Sequence, residues 1–288
     1  MKSLTSYITL ALAVFTVTSC SKNESQTVAN NLTLHFNNTF KGKTIVLGDA
    51  NSITATKNTS AAGQVHHFAE LKYVISNIRL VKADGGEIPY NINDLDKGAA
   101  VIDHAKPQTL DVILSNLPAG EYAKIKFGLG VKNELNTLDQ TRFPNFYAQA
   151  GANDTKMMWE WGSGYRFTKI EGFYGTDNKP LSIHTGSTVQ GSKEPFVQGV
   201  DAYREITLDL PTHAIVGAKA SKIMINADFN GLLSGKTNTI TLSTGTTDTD
   251  NATPNIHTAK EMVKFVDNLG GDGKSDVAGI FSVGQVNN

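Results

Sequence analysis

The chain has 288 residues, with 26 Lys and Arg against 27 Asp and Glu and a formal net charge of −1. That balance excludes the basic footprint of a nucleic-acid binder and the polybasic patch of a membrane-surface protein. The lone cysteine, Cys20, excludes an internal disulfide and a metal site made of several thiolates.

The first stretch, MKSLTSYITLALAVFTVTSC, has one Lys and then an apolar run over residues 7–17. The run is too short to span a bilayer as a helix. Residues 1–19 read as a signal peptide and stand outside the fold. Its end, Val17-Thr18-Ser19-Cys20, fits the bacterial lipobox, in which the Cys is lipidated and becomes the new N-terminus. Ser21 rather than Asp at the next position points to outer-membrane sorting. Localisation is therefore expected in the cell envelope, on the periplasmic or the surface face, with the lipid as membrane anchor. Residues 20–31 are polar and aperiodic, a tether between lipid and domain.

From Leu32 onward the chain is a series of short alternating segments bounded by Gly, Asn, Asp and Pro, the pattern of an all-β domain. LTLHF (32–36) sets Leu32, Leu34 and Phe36 against Thr33 and His35. LKYVISNIRLV (71–81) is apolar on both parities and reads as a central strand covered on both faces. AKIKFGLGV (123–131) alternates Ile125, Phe127 and Leu129 with Lys124, Lys126 and Gly128. Further strands are predicted over 203–210, 221–229 and 238–243. Thr258 and Glu261 have capping-box spacing, Met262, Val263 and Val266 continue a helical period, and Gly270-Gly271 ends it. The expectation is a single β-sandwich domain over 32–288, with long loops and one late helix.

Chemistry concentrates in MMWEWGSGYRF (157–167), which holds both tryptophans and two of the five methionines. In strand geometry Met157, Trp159 and Trp161 share one face and Met158 and Glu160 the other. One reading is packed core. The other is a copper site, since thioether and imidazole suit soft Cu(I) without a thiolate. Enzyme signatures are weak. Glu160 and Glu171 have no glycosidase geometry written in their spacing, Ser163 lacks a strand–elbow–helix context, and DNLGGDGKSD (267–276) lacks the terminal bidentate Glu of a calcium loop. The seven histidines, His35, His66, His67, His104, His184, His213 and His257, show no HExxH spacing.

Four ordered stretches, LKYVISNIRLVKADG (71–85), NLPAGEYAKIKFGLGV (116–131), MMWEWGSGYRFTKIEGFY (157–174) and PLSIHTGST (180–188), resemble the MbnP-like family in its lipoprotein branch. The resemblance implies an exported β-sandwich that binds copper as Cu(I). It also implies oxidation of one Trp to kynurenine by a MauG-like di-haem oxidase, with two His completing the site. On this chain it points to Trp159, or else Trp161, as the modified residue, to His184 and His35 as imidazole ligands, and to Met158 as a soft supplement. No catalytic residues are expected. Binding through neutral imidazoles should weaken below about pH 6. The competing expectation is a metal-free surface module that stacks glycans or an envelope partner on Trp and Tyr. A third option, a hydrolase, lacks a triad.

Overall fold

The computed structural model describes residues 30–151, 156–159, 164–190, 197–217, 219–243, 259–274 and 278–288. Cys20, the signal peptide, Glu160, Trp161, Ser163, His257 and Thr258 lie outside them.

The strands in the first half are β1 (Leu32–Phe40), β2 (Lys43–Thr44), β3 (Asn58–Thr59), β4 (Val65–Lys82), β5 (Glu87–Pro89), β6 (Ala100–Asp103), β7 (Asp111–Leu114) and β8 (Gly120–Leu129). Those in the second half are β9 (Thr168–Tyr174), β10 (Lys179–Thr185), β11 (Val189–Gln190), β12 (Val197–Gln198), β13 (Arg204–Val216), β14 (Ser221–Asp228) and β15 (Phe281–Asn287). Three helices accompany them, α1 (Leu95–Gly98), α2 (Pro144–Ala150) and α3 (Ala259–Gly270). One sheet runs β15-β14-β1-β2, with β7 also on β1; the other runs β10-β9-β4-β8-β13. The architecture is the expected all-β sandwich.

Alternation builds the core. Leu32, Leu34 and Phe36 of β1 are fully buried and meet Leu71, Tyr73 and Ile75 of β4, Ile125 and Phe127 of β8, and Leu181 and Ile183 of β10. Phe36 bridges the sheets, edge-on to Phe127 at 5.8 Å and to Tyr73 at 6.0 Å. Edge-to-face contact of this kind adds about 0.5–1.5 kcal/mol beyond the area each ring buries. The first strand pairs in parallel with the late β14, Leu34 opposite Ile223 and Phe36 opposite Ile225. A parallel pair needs a long connection, and here the whole of the second sheet lies between the two strands in sequence.

β4 is buried on both faces, as its composition requires. Its outward Val74 joins a second apolar cluster with Val101, Val131, Phe143, Phe146, Met157, Tyr165, Phe167, Met262 and Val266. Thus α2 and residues 157, 165 and 167 pack as a layer over the outside of the second sheet, and α3 joins this cluster through Met262 and Val266 and the inner core through Phe265 and Leu269. Glycines at the end of β8 and just past it permit this layer to approach. A Cβ on Gly128 would strike the Tyr203 ring, and one on Gly130, at φ +99°, the Phe167 ring.

The segment 238–243 is not a strand, contrary to the expectation. Ile240 and Leu242 are buried as their alternation implies, but only one isolated bridge forms, Ser234 to Thr239. The Gln64 side chain takes the place of a partner strand: its amide donates to Leu242 O at 2.7 Å and its oxygen accepts from Leu242 N at 2.6 Å. Two short helices, α1 and α2, join the one read from the sequence. α3 ends where Gly271 turns to φ +88° and donates to Asp267 O, a left-handed cap that glycine adopts without strain.

Candidate functional site

Residues 157–159 and 164–167 form an antiparallel pair. Met158 and Tyr165 form an antiparallel bridge, Trp159 N donates to Gly164 O at 3.2 Å and Arg166 N to Met157 O at 2.8 Å. Its far end is fixed to the sheet by Phe167 N donating to Thr185 O of β10 and Val74 N of β4 donating to Phe167 O. Asn136 Oδ1 holds the near end by accepting from Tyr165 N at 2.7 Å. Met157 and Trp159 are buried on one face and Tyr165, opposite Met158, and Phe167 on the other, so the packing that the first of the two readings requires is present on both.

Trp159 is 4% exposed. The Arg166 guanidinium lies over its ring at 4.8 Å, a cation–π contact of about 0.5–2 kcal/mol. The His184 ring stands 6.2 Å from it, inclined at 60°. Gly186 makes the remaining wall: a Cβ there would fall 2.9 Å from Trp159 Nε1 and 2.9 Å from Tyr165 O. The Gly of the SIHTGST turn is therefore the space into which the indole fits.

His184 is placed by strand alternation. Leu181 and Ile183 of β10 face the core, so Ser182 and His184 face the outer layer. Across the β9–β10 hairpin Ser182 pairs with Glu171 and His184 with Lys169. The Glu171 side chain reaches diagonally, within 2.5 Å of His184 Nε2, and Ser182 Oγ lies 3.4 Å from the same nitrogen. Both partners are partly screened from water, at 13% and 31% exposure. Lys169 does not compete for Glu171, because its ammonium is 2.6 Å from Glu70, which also binds Lys72 at 2.6 Å. Burial pushes the Glu70 carboxyl up, but the two ammonium groups more than reverse this and hold it below the ordinary carboxylate range.

The fold does not bring His35 to this place. His35 lies on the outer face of β1, with Nδ1 2.7 Å from Asp111 Oδ1, and Lys222 contacts the same carboxylate at 3.0 Å. The inner neighbours of His35 and of His184 meet in one core. The two imidazoles therefore project from opposite outer faces of the sandwich, which corrects the pairing expected of them. Met158 is also apart. Its thioether packs against Gly151, where a Cβ would come within 2.4 Å of Sδ, on the side of its strand opposite Trp159.

The other described histidines serve the framework. His67 Nε2 contacts Asp49 O at 2.9 Å, and His104 contacts Ile45 O at 2.8 Å and Asn38 at 3.1 Å. His66 sits edge-on to Phe40. Burial lowers its pKa to about 4; a contact to the Gln64 carbonyl opposes the shift, and the nearby His67 and Lys41 add to it. His213 is at the surface beside Glu121. Among the described residues no group of three or more His, Cys, Asp or Glu side chains is arranged to hold a metal ion.

Sequence reasoning missed Glu171 as the partner of His184, and Arg166. A signal for the first was present: Gly175 and Asn178 both take positive φ in the GTDN turn, and folding the chain about that turn sets Glu171 opposite Ser182.

The class of protein that the fold defines is an all-β, two-sheet sandwich. The MbnP family profile matches residues 29–258, and the chain belongs to that family. Among solved structures, MbnP from Methylosinus trichosporium is similar, with a TM-score of 0.56 and 18% sequence identity, over 88% of this chain and 98% of that one. At that identity the likeness is one of fold. No curated protein matches the chain.

Proposed function

We propose that this protein is a copper-binding lipoprotein of the cell envelope, anchored through Cys20, that takes up, stores or delivers Cu(I) and has no catalytic activity of its own. Membership of the MbnP family supports the copper role. The observation that carries the site is the His184 imidazole held by Glu171 beside the buried Trp159.

His184 fits the metal: an imidazole whose second nitrogen is engaged by a carboxylate is the usual form of a His ligand. His35 and Met158 do not fit, for the geometric reasons given. The remaining nitrogen donor is assigned to Trp159, whose oxidation to kynurenine would create an aromatic amine next to His184. Trp161 is the alternative for that modification. Low-coordinate Cu(I) accepts nitrogen donors in such small sets. A MauG-like di-haem partner is the proposed oxidant. The Arg166 contact and the Gly186 wall hold the indole in one orientation.

The competing role, stacking glycans or an envelope partner, needs exposed aromatic faces. Trp159 is buried beneath Arg166, which weighs against its use as a platform. No helix among the described residues is long and apolar enough to cross a membrane.

Intact-mass and metal analysis of the protein purified from its native envelope tests the reading. The expected result is copper, together with a mass change on the Trp159 peptide in which one oxygen replaces one carbon. Copper with an unmodified peptide would remove the kynurenine and leave His184 as ligand. An unmodified chain that takes no Cu(I) would remove the copper role.

A further inference from the structure

Three features of the His184 neighbourhood are independent of any ion. Glu171 Oε1 lies 2.5 Å from Nε2 of the ring. Ser182 Oγ flanks that same nitrogen at 3.4 Å. The Lys169 ammonium that stands opposite His184 in the register is drawn off by Glu70. Glu171 thus has one partner on this face, and that partner is the Nε2 side of His184.

We propose that Glu171 is a positioning residue that selects which nitrogen of His184 meets the metal. Its carboxylate accepts the Nε2–H, which fixes the neutral ring in the Nε2-protonated tautomer and leaves the Nδ1 lone pair free. Nδ1 is the ligand atom. The opposite arrangement is disfavoured by size. A first-row metal sits about 2 Å from an imidazole nitrogen, so an ion on Nε2 would have to drive Glu171 away from a gap of 2.5 Å. Rotation of the ring to present Nε2 elsewhere would break its contacts with both Glu171 and Ser182.

The β9–β10 hairpin gives the device its rigidity. Glu171 and His184 are diagonal neighbours on adjacent antiparallel strands, a spacing that long side chains bridge. Their backbones are fixed by seven register pairs from Lys179–Tyr174 to Thr185–Thr168.

This inference rests on the copper reading for its ligand role, and the experiment separates the two. In the 15N-labelled, lipid-free protein, long-range 1H–15N correlation reads the His184 tautomer before and after addition of Cu(I). The expected result is a proton on Nε2 without copper and a copper-induced shift at Nδ1. Glu171→Ala should mix the tautomers and weaken Cu(I) binding about 10- to 100-fold. Glu171→Gln, which keeps an acceptor oxygen, should retain the tautomer and lose less affinity. A proton on Nδ1 in the wild-type protein, a copper shift at Nε2, or a Glu171→Ala variant with wild-type tautomer and affinity would each overturn the inference about Glu171. A wild-type protein that takes no Cu(I) would instead overturn the copper reading, and the ligand role with it.

Discussion

Glu171 and His184 come from β9 and β10 and Trp159 from the segment before β9, and Gly186 is the residue that lets them close up. Its absent side chain is occupied on one side by the indole nitrogen and on the other by the Tyr165 carbonyl, a backbone atom tied into the antiparallel pair. Gly186→Ala must therefore move one of them. Overpacking of this kind costs about 1–3 kcal/mol, and the expected outcome in denaturant titration is a loss of that size. An unchanged midpoint would mean the pair yields freely. The sequence offered SIHTGST as a strand running into a glycine turn, and His184 as the best-placed ligand. It could not show that the glycine serves a tryptophan in another segment, because that contact depends on how the pair lies over the sheet. Nor did His184 announce its carboxylate, although the turn between β9 and β10 fixes the register that joins them.

At the scale of elements, alternation told more about faces than about neighbours. It set His35 on the side of β1 away from Leu34 and Phe36, and that is where it lies. It did not say that the outer face of β1 and the outer face of β10 are separated by the whole core. His35→Ala removes a polar contact whose partners are 27% and 42% exposed. Such pairs contribute about 0–1 kcal/mol, so the variant should unfold within that range of the wild type and bind Cu(I) with unchanged affinity. A loss of copper binding would place His35 in the site after all. The helical period of α3 was legible, but its anchor was not. Asn268, buried on α3, donates to Leu232 O and Asn238 O and accepts from Asn238 N. Asn268→Ala strands Leu232 O and Asn238 N, each worth about 1 kcal/mol or more when left without a partner, while Asn238 O still accepts from Gly235 N. A loss of roughly 2 kcal/mol in equilibrium unfolding is expected, and one under about 0.5 kcal/mol, the range of a surface change, would deny the anchoring role. The error at 238–243 has a related cause. Buried alternation was present there, but a side-chain amide, Gln64, satisfied the backbone, and no sequence period reports that.

For the molecule as a whole, the all-β class was legible because inward apolar positions recur at period two along β1, β8 and β14, while the parallel closure of β1 on β14 was not, since pairing partners so distant leave no local mark. Acid sensitivity is a property of the assembled core. His66 has a folded pKa lowered to about 4 by burial, against about 6.5 when unfolded. Below 6.5 the unfolded chain binds a proton that the folded one does not, so stability falls with pH until about 4 and is level beyond. The shift corresponds to roughly 3 kcal/mol. Glu70, held low by Lys169 and Lys72, adds a loss in the same direction at more acid pH. Replacing His66 by Phe should flatten the dependence between pH 6.5 and 4 in urea titrations, and an equally steep slope in that variant would assign it elsewhere. The proposed lipid anchor is tested apart from the fold: Cys20→Ala should move the protein from the membrane fraction to the soluble fraction, and retention in the membrane would contradict the anchor.

Under the proposed copper role, His184 holds the ion and His35 does not. The most direct test is competition for Cu(I) between the lipid-free protein and a chelator of known affinity, run on the wild type, His184→Ala and His35→Ala. The account predicts one Cu(I) per chain for the wild type and His35→Ala, and a loss of binding in His184→Ala. Equal binding by His184→Ala and the wild type would contradict it.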